Sequence, residues 1–372
     1  MYVERLHLVN FRNYRESSLE FSPGVQLIVG KNGQGKTNLL EAVYYLSRFK
    51  PRPFSKPSDL IHHGQPYFAV GALVYSEHRR VVVKVMVGRG VKNFSLDGEA
   101  KGSASELRGL VKTVMFSPED VMIVSGEPYL RRNFLDSAIE IADAGYGLCL
   151  KAYRHALVQR NSILGKWERY GQGLPRVLEP WDLMVAENGS YILTKRVEFI
   201  QNADKVMKEN YPQLSGHDYS PTLTYWCSIR GKAVRQDQNF TQDEYLSALN
   251  ESRSEDLNAR CTTKGPHRDD FRVSFYGKDA GRLLSQGEKR TVAYCLRMAE
   301  ERYIYWKTGQ NPILLLDDVI SELDEERAGR LTGLGFPSDQ VFITDTRVDR
   351  VSSFNPEGII RVEGGVARVE RA

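Results

Sequence analysis

The chain has 372 residues, 41% of them hydrophobic and 26% charged, which is enough for two or three structural units with cores of their own. Its 51 basic and 47 acidic residues leave a net charge of only +4, so an anionic partner would have to bind a local patch rather than a uniformly basic surface. Four widely spaced cysteines, no signal-peptide pattern and no long apolar run predict a cytoplasmic protein with reduced thiols and no membrane contact.

Residues 1–116 are predicted to form mainly strands, because runs rich in β-branched residues alternate there with turn residues. The predicted strands are Arg5–Val9, Val25–Val29, Phe68–Tyr75, Arg80–Val87 and Val111–Phe116. One helix with an apolar face, Asn38–Ser47, is predicted to interrupt them.

Residues from about 129 to 262 have helical periodicity instead. One helix is predicted over Pro180–Asn210, because proline is favoured in a first turn and Pro212, two residues after Asn210, would end the helix. Another is predicted to begin with the capping box Thr241–Glu244. The strand-like run Thr222–Ile229 lies between these two helices.

The last part of the chain alternates strands with helices, which favours a parallel sheet. The predicted elements are strand Phe271–Tyr276, a helix from Gln286 to about Tyr305, strand Ile313–Leu316, helix Glu325–Leu334 and strand Val341–Thr344. The predicted fold class is therefore α/β, with a head of mixed sheet and helices built from residues 1–116 and 264–372, and an inserted, mainly helical arm of residues 117–263.

A glycine-rich loop follows the predicted strand Val25–Val29 and precedes the first predicted helix. Its residues are Gly30, Lys31, Asn32, Gly33, Gln34, Gly35, Lys36 and Thr37, in the pattern G-x-x-x-x-G-K-T. In this context backbone N–H groups converge on phosphate oxygens, Lys36 pairs with the β- and γ-phosphates, and the Thr37 hydroxyl binds Mg²⁺. The loop predicts ATP and Mg²⁺ binding with Lys36 in the catalytic machinery; the alternative is a glycine-rich turn without a ligand.

The apolar run Ile313–Leu316 ends in Asp317 and Asp318. A buried parallel strand delivers its last residues to the ligand-binding edge of its sheet. We expect Asp317 to hold Mg²⁺ and Asp318 to orient or deprotonate the attacking water as a catalytic residue. Without a phosphate loop in the same chain, two aspartates after an aliphatic run would fit a simple turn.

The run Leu284–Glu288 begins 247 residues after Thr37 (284 minus 37) and opens a predicted helix. Ser285 and Glu288 also fit an ordinary capping box. Helix propensity does not favour Gly287 in a first turn, however, and the run lies one helix before the acidic strand. We therefore expect Ser285 and Gly287 to contact the γ-phosphate of ATP bound to a second subunit, in an ATP-induced homodimer with two-fold symmetry.

Together these motifs resemble the ABC-type ATPase heads of the SMC and RecF group, and the resemblance narrows to the RecF family. The segments that carry it are Leu8–Tyr14, Ser117–Asp120, Arg131–Asp136, Tyr153–Asn161, Gly265–Asp270 and Leu315–Leu331, the last with Ser321–Asp324 and Arg327. Glu127 departs from the small residue expected before Pro128, which puts only that turn in doubt. The resemblance implies that Arg12 and Asn13 belong to the nucleotide site and that Ser321–Asp324 lines the dimer interface.

The resemblance also implies a cytoplasmic bacterial recombination mediator with a weak, DNA-stimulated ATPase activity. Such a protein would bind DNA, as duplex or at a gap junction, when it is ATP-bound and dimeric. With RecO and RecR it would load the RecA recombinase at single-strand gaps and support gap repair, replication restart and the SOS response.

Two other classes use parts of the same pattern. The ATPase subunit of a membrane transporter usually has its signature run closer to the glycine loop than the spacing found here. A GTPase or small-molecule kinase would leave Ser285–Glu288 without a role, and the chain has no NKxD guanine motif.

A local basic region is the main candidate for DNA contact. Residues 145–177 contain six bases (Lys151, Arg154, Arg160, Lys166, Arg169 and Arg176) and one acid, interleaved with Tyr146, Tyr153, Trp167 and Tyr170. This pattern fits contacts with a phosphate backbone, or a solvated helix face with core aromatics. Arg131 and Arg132 fit either a nucleotide contact or a brace on the sheet, and His267–Asp269 fits a salt-bridged turn equally well.

Overall fold

The computed structural model describes residues 1–53, 55–88, 90–234, 239–320, 327, 329–330, 333, 337–349 and 354–371. The chain divides into two compact units. The first unit comprises Met1–Val121, Pro212–His217 and Gln286–Ala372, and the second comprises Met122–Tyr211 and Asp218–Ser285.

The strands build three sheets, two in the first unit and one in the second. In chain order the strands are β1 (Tyr2–Phe11), β2 (Tyr14–Glu20), β3 (Gly24–Val29), β4 (Tyr67–Ser76), β5 (Arg79–Gly88), β6 (Val91–Leu96), β7 (Glu99–Lys101), β8 (Thr113–Phe116), β9 (Thr222–Cys227), β10 (Lys232–Val234), β11 (Asp270–Phe275), β12 (Lys278–Asp279), β13 (Ile313–Leu316), β14 (Gln340–Asp345), β15 (Gly358–Glu363) and β16 (Val366–Arg371). The helices are α1 (Lys36–Arg48), α2 (Val121–Ser125), α3 (Pro128–Ala142), α4 (Ala144–Leu164), α5 (Leu174–Ser215), α6 (Gln242–Glu251), α7 (Arg253–Ala259), α8 (Ala280–Leu283) and α9 (Gln286–Thr308).

A mostly parallel sheet in the first unit positions the predicted site. Its strand order is β16-β15-β3-β14-β13-β8; the strands from β15 to β8 are parallel, and only β16 is antiparallel. All four aliphatic residues of β13 are buried, as expected for a parallel strand with neighbours on both sides. Because β3, β13 and β14 run in the same direction, their carboxyl ends meet at one edge of the sheet.

The second sheet of the first unit is antiparallel, with the order β2-β1-β4-β5-β6-β7. One hydrophobic cluster contains residues of this sheet, of α1 and of the parallel sheet, including Leu6, Leu40 and Leu315. Helix α1 is therefore buried on both sides. Burial of the helix fixes the position of the glycine-rich loop that precedes it.

The second unit combines helices with the four-stranded sheet β10-β9-β11-β12. Helix α5 is 42 residues long, and Thr241 caps α6 by accepting a hydrogen bond from the Glu244 N–H at 3.1 Å, which confirms the predicted helix start. None of the described helices is long and apolar enough to cross a membrane.

The predicted bounds of the long helix are wrong at both ends. Helix α5 begins at Leu174 and ends at Ser215, so Pro180 and Pro212 both lie inside it. Each proline removes one backbone donor from the helix. The buried side chains of Leu178 and Leu214 lie beside the two prolines, and burial of this apolar face stabilises the helix beyond them.

The strands predicted in the first 116 residues are all present, as are those over Thr222–Cys227, Asp270–Phe275, Ile313–Leu316 and Gln340–Asp345. Strands β2, β6, β7, β10, β12, β15 and β16 were not predicted. The predicted helix Glu325–Leu334 lies largely outside the described residues.

Arg196 is the centre of a buried polar network in the second unit. Its side chain is 2% exposed and donates hydrogen bonds of 2.7 Å to the carboxylate of Asp136 and to the carbonyl of Pro266. Asp136 also accepts hydrogen bonds from the hydroxyl of Tyr146, at 2.6 Å, and from the guanidinium of Arg154, at 3.0 Å. These bonds compensate the cost of burying the charges.

Arg196→Met is expected to lower the free energy of unfolding by about 3–5 kcal/mol, because it leaves the buried carboxylate of Asp136 without its buried cation. Arg154→Met is the matched control, because Arg154 binds the same carboxylate with a side chain that is 55% exposed. This control is expected to cost at most about 1 kcal/mol. Urea unfolding followed by circular dichroism measures the free energy of unfolding of both variants. Equal decreases in the two variants would contradict the claim that the buried Arg196 contributes more to stability than the exposed Arg154.

Candidate nucleotide site

The glycine-rich loop connects β3 to α1. Gly33 and Gly35 have φ angles of 77° and 115°, which L side chains rarely adopt. A Cβ atom on Gly30 would lie 2.3 Å from the carbonyl oxygen of Val362, and one on Gly35 would lie 2.5 Å from Nδ2 of Asn13. Backbone conformation and close packing therefore both require glycines in this loop.

Lys36 and Thr37 begin α1 and point their polar groups in different directions. The buried ammonium of Lys36 donates to the carbonyl oxygens of Gly30, at 2.9 Å, and Lys31, at 3.3 Å. The Thr37 hydroxyl donates to Oδ1 of Asp317 at 2.8 Å. The fold thus joins two motifs that are 280 residues apart in the sequence.

Asp317 lies at the carboxyl end of β13 and is only 3% exposed. Besides Thr37, its carboxylate accepts hydrogen bonds from the Thr344 hydroxyl at 3.1 Å and from Nη1 of Arg52 at 3.3 Å. Burial raises the pKa of Asp317 above its ordinary value, while the positive charge of Arg52 and the bond from Thr37 act in the opposite direction.

Asp318 occupies a strained turn directly after Asp317. Its φ angle is 50°, a left-handed conformation that residues with a side chain seldom adopt. Its backbone N–H donates to the hydroxyl of Thr344 at 2.8 Å, which holds the turn against the end of β14. The Thr344 hydroxyl also lies 3.5 Å from Oδ1 of Asp318, so both carboxylates lie beside this threonine at the sheet edge.

The oxygen groups at this edge fit a magnesium ion. Mg²⁺ prefers hard oxygen ligands and in nucleotide sites takes one or two from the protein and the remainder from phosphates and water. Thr37 and Asp317 offer a hydroxyl and a carboxylate in direct contact. No cluster of three or more His, Cys, Asp or Glu side chains suited to a metal occurs in the described part of the chain, so a site closed by protein ligands alone is not formed there.

Two other segments hold the glycine-rich loop at Gln34. Asn13, in the turn between β1 and β2, donates from Nδ2 to the Gln34 carbonyl at 2.7 Å and accepts from Asn38 at 2.8 Å. In the turn between β15 and β16, the N–H of Gly364 donates to the Gln34 side chain at 2.6 Å, and the N–H of Gly365 donates to its carbonyl at 3.2 Å. The loop is therefore fixed from both sides.

Arg12 lies next to Asn13 and was predicted to contact the nucleotide. Its guanidinium instead donates hydrogen bonds to other residues of the first unit. It donates to the carboxylate of Glu41 on α1 at 2.7 Å, to the hydroxyl of Ser55 at 3.0 Å and to the carbonyl of Asp59 at 3.0 Å. In this structure Arg12 holds residues 55–59 against α1, and its contact with nucleotide stays a prediction.

The run Leu284–Glu288 spans the start of α9. Ser285 is exposed, and Gly287 lies in the first turn of the helix. A Cβ atom on Gly287 would lie 2.4 Å from Nη1 of Arg327, so the guanidinium occupies the space that a side chain would fill. This contact within one subunit is sufficient to explain why residue 287 is a glycine. The predicted role of Ser285 and Gly287 toward a second subunit stays a prediction.

Part of the predicted basic region belongs to the core of the second unit. Arg160 is 0% exposed and donates at 2.7 Å to Asp182 and to Thr262, with Asp256 as a further ion-pair partner at 2.7 Å. The prediction of a phosphate contact is therefore wrong for Arg160, because the fold buries it among carboxylates. Tyr146 and Tyr153 are also buried, whereas the exposed bases are Lys151, Arg154, Lys166, Arg169 and Arg176.

Arg131 and Arg132 brace a strand. Arg131 makes two hydrogen bonds to Asp270 at the start of β11, of 2.8 and 2.7 Å, and Arg132 donates to the carbonyl of Asp269 at 3.0 Å. His267 is half-buried, and its Nδ1 atom lies 2.6 Å from the hydroxyl of Tyr153. Burial lowers the pKa of His267 to about 4, so this imidazole is neutral near pH 7.

Arg52 and Thr344 are the site residues that the motifs did not reveal. Both contact Asp317, and neither belongs to a recognised pattern. The only available signal for Thr344 was its position at the end of a predicted strand. No sequence signal distinguished Arg52 from other arginines.

The chain matches the family model described as "RecF/RecN/SMC N terminal domain" over residues 2–362. It is 34% identical over 372 residues to "DNA replication and repair protein RecF" of Heliobacterium modesticaldum, with 98% of each chain covered. It is 32% identical over 367 residues to the protein of the same name from Bacillus subtilis, with 98% of this chain and 99% of that protein covered.

Solved structures are also similar. One described as "Structure of the recombination mediator protein RecF-ATP in RecFOR pathway" is 33% identical, has a TM-score of 0.89, and is matched over 99% of this chain and 97% of the other. An Smc head domain derived from Pyrococcus furiosus is 19% identical with a TM-score of 0.56, over 100% of this chain and 96% of the other, and shows likeness of fold alone. The predicted fold class is confirmed.

Gly365→Ala is expected to weaken ATP binding at least about tenfold, because the new Cβ atom would displace Asn13 and with it Gln34. The Cβ atom would lie 2.2 Å from the carbonyl oxygen of Asn13. Gly364→Ala is the matched control: both glycines have positive φ, of 54° and 77°, but a Cβ atom on Gly364 meets nothing within 4 Å. Calorimetric titration with ATP distinguishes them, and equal affinities in the two variants would contradict the bracing role.

Proposed function

This chain belongs to the RecF/RecN/SMC N-terminal domain family and, within it, to the RecF proteins, and we propose that it is an ATP-gated DNA clamp that acts in gap repair. The contact between the Thr37 hydroxyl and Asp317 carries the proposal, because it unites a phosphate loop and an acidic strand end in one site. ATP is the proposed nucleotide, since a relative of similar sequence and fold is described as RecF-ATP.

The phosphate loop, Asp317 and the N-terminus of α1 would each bind a different part of the Mg²⁺–ATP ligand. The Lys36 ammonium donates hydrogen bonds to the carbonyl oxygens of Gly30 and Lys31. When ATP binds, it would donate to the β- and γ-phosphates instead. Thr37 and Asp317 would hold Mg²⁺, which screens the charge of the phosphates. The helix α1 N-terminus adds free backbone N–H groups and a favourable dipole toward the same anion.

Asp318 is the proposed catalytic carboxylate. The Thr344 hydroxyl accepts a hydrogen bond from the Asp318 N–H and lies 3.5 Å from its Oδ1 atom, and the carboxylate held there would position or deprotonate the attacking water. An aspartate reaches less far than a glutamate would, which is consistent with a slow ATPase. Hydrolysis would reset the clamp, and DNA is expected to stimulate it.

ATP is also the proposed link between two subunits. Ser285 is exposed at the start of α9, where it and Gly287 would meet the γ-phosphate bound by the partner. A ligand that binds across an interface stabilises the dimer by mass action. The segment Ser321–Asp324, expected beside this interface, lies outside the described residues.

Most of the second unit belongs to the proposed DNA-binding arm. We assign residues 117–263 to the arm and residues 1–116 and 264–372 to the ATPase head, although the compact second unit itself extends to Ser285 and includes β11, β12 and α8. Five exposed bases of α4, of the segment after it and of the start of α5 would contact DNA phosphates, namely Lys151, Arg154, Lys166, Arg169 and Arg176. Duplex DNA or a gap junction is the proposed ligand, RecO and RecR are the proposed partners, and the proposed location is the cytoplasm.

The transporter alternative is not favoured. Relatives named DNA replication and repair protein RecF match nearly the full length of the chain. The residues between the phosphate loop and the Leu284–Glu288 run include the second unit with its 42-residue helix. Retention of the protein on DNA only when ATP is present would agree with the clamp, and cofractionation with membranes would agree with the transporter.

Lys36→Ala is expected to abolish ATP binding, because it removes the cation that pairs with the phosphates. Asp318→Asn is expected to keep ATP binding and ATP-induced dimerisation but to reduce hydrolysis at least about 100-fold, since the amide cannot accept a proton. Calorimetry, light scattering and phosphate release measure the three properties. Hydrolysis at the wild-type rate in Asp318→Asn would rule out the proposed catalytic role.

Ser285→Arg is expected to bind ATP normally and to remain monomeric, because the large side chain blocks the interface while the phosphate loop is unchanged. Ser18→Arg is the control, since Ser18 is exposed on β2 and pairs with His7 on β1. Light scattering with and without ATP measures the mass of each variant. An ATP-induced dimer of Ser285→Arg would show that this serine does not face the partner.

A further inference from the structure

Arg52 is a cation of the first unit that contacts the proposed metal ligand. Its Nη1 atom lies 3.3 Å from Oδ2 of Asp317, and its Nη2 atom donates to Oε2 of Glu119. The Arg52 side chain is 12% exposed and that of Glu119 is 57% exposed. One guanidinium therefore joins a buried carboxylate to an exposed one.

The buried carboxylate of Asp317 requires a positive charge nearby, because an ionised group out of water is costly without a partner. Thr37 satisfies its Oδ1 atom and Arg52 faces its Oδ2 atom. Arg52 thus supplies the charge that a divalent cation would bring to the same group. A metal ion and a guanidinium on one carboxylate would repel each other strongly at this distance.

Glu119 is a second ion-pair partner of Arg52. It lies in the short turn Pro118–Asp120 that follows β8, the strand beside β13. Because Arg52 already touches Glu119, it can leave Asp317 without losing every partner. The neighbouring carboxylate of Asp120 is taken, since it accepts from Arg297 at 2.6 Å and from the Ser117 N–H at 2.8 Å.

We propose that Arg52 is the resident counter-ion of the metal site, which competes with Mg²⁺ for Asp317 and, when the metal binds, leaves Asp317 and keeps Glu119 as its partner. This inference rests on the proposed function, because it takes Asp317 as the metal ligand. It follows that Arg52 raises the Mg²⁺ concentration at which the site fills.

The test is the Mg²⁺ concentration that gives half-maximal binding of ATPγS to the full-length protein. Arg52→Gln removes the competing charge and is expected to lower this midpoint at least about threefold. Glu119→Gln weakens the second ion pair of Arg52, keeps the guanidinium on Asp317, and is expected to raise the midpoint. Two neutralising changes on one ion pair are thus expected to act in opposite directions.

Arg52→Lys and Arg5→Gln are the controls. Lysine retains the charge that opposes the metal, so its midpoint is expected within about twofold of wild type. Arg5 is paired with Glu20 on an exposed surface of β1 and β2, and its loss is expected to leave the midpoint unchanged. Thermal melting without nucleotide verifies that each variant is folded.

A midpoint that is unchanged or higher in Arg52→Gln, or a lysine variant that behaves like the glutamine variant, would overturn the inference. Glu119→Gln is an independent test, because its exposed side chain can be replaced without disturbing the core: a lower midpoint there also overturns it. Failure of the wild-type protein to bind ATPγS at any Mg²⁺ concentration would instead refute the proposed function.

Discussion

The parallel pairing of β3, β14 and β13 is the constraint on which the proposed nucleotide site depends. Val29 pairs with Asp345, so β3 and β14 end at the same level of the sheet. Leu316 pairs with Ile343, so β13 ends two residues earlier, and Asp317 follows it beside Thr344. The chain then leaves one strand as the phosphate loop and another as the two aspartates. A shift of one residue in either register would turn Asp317 to the opposite face and break its contact with Thr37.

Packing makes this arrangement rigid on the helix side. Helix α1 is buried between two sheets, and the phosphate loop is fixed at Gln34 by Asn13 and by the turn at Gly364. The cations are the adjustable part, because Lys36 and Arg52 bind acceptors of the chain itself. The proposed ligands would therefore exchange the partners of these two side chains within a preformed frame.

The sequence predicted those parts of the fold and site that leave a local pattern. Aliphatic runs such as Ile313–Leu316 and the glycine-rich loop can each be recognised from fewer than about ten consecutive residues. The Arg52–Asp317 pair joins residues 265 apart and leaves no periodicity to detect. Local rules also failed where burial outweighed them: α5 continues through Pro180, and Arg160 appears in the sequence as a surface base but lies in the core.

The contacts of Arg12 and Arg52 connect the metal site to the phosphate loop by a second route. Arg52 belongs to the segment after α1, and Arg12 holds Ser55 and the Asp59 carbonyl in that segment. The neighbour of Arg12, Asn13, holds the Gln34 carbonyl. A movement of Arg52 away from Asp317 would therefore act on the same turn that positions the phosphate loop. The proposed metal and nucleotide would be coupled in this way through side chains, without any change in the order of the strands.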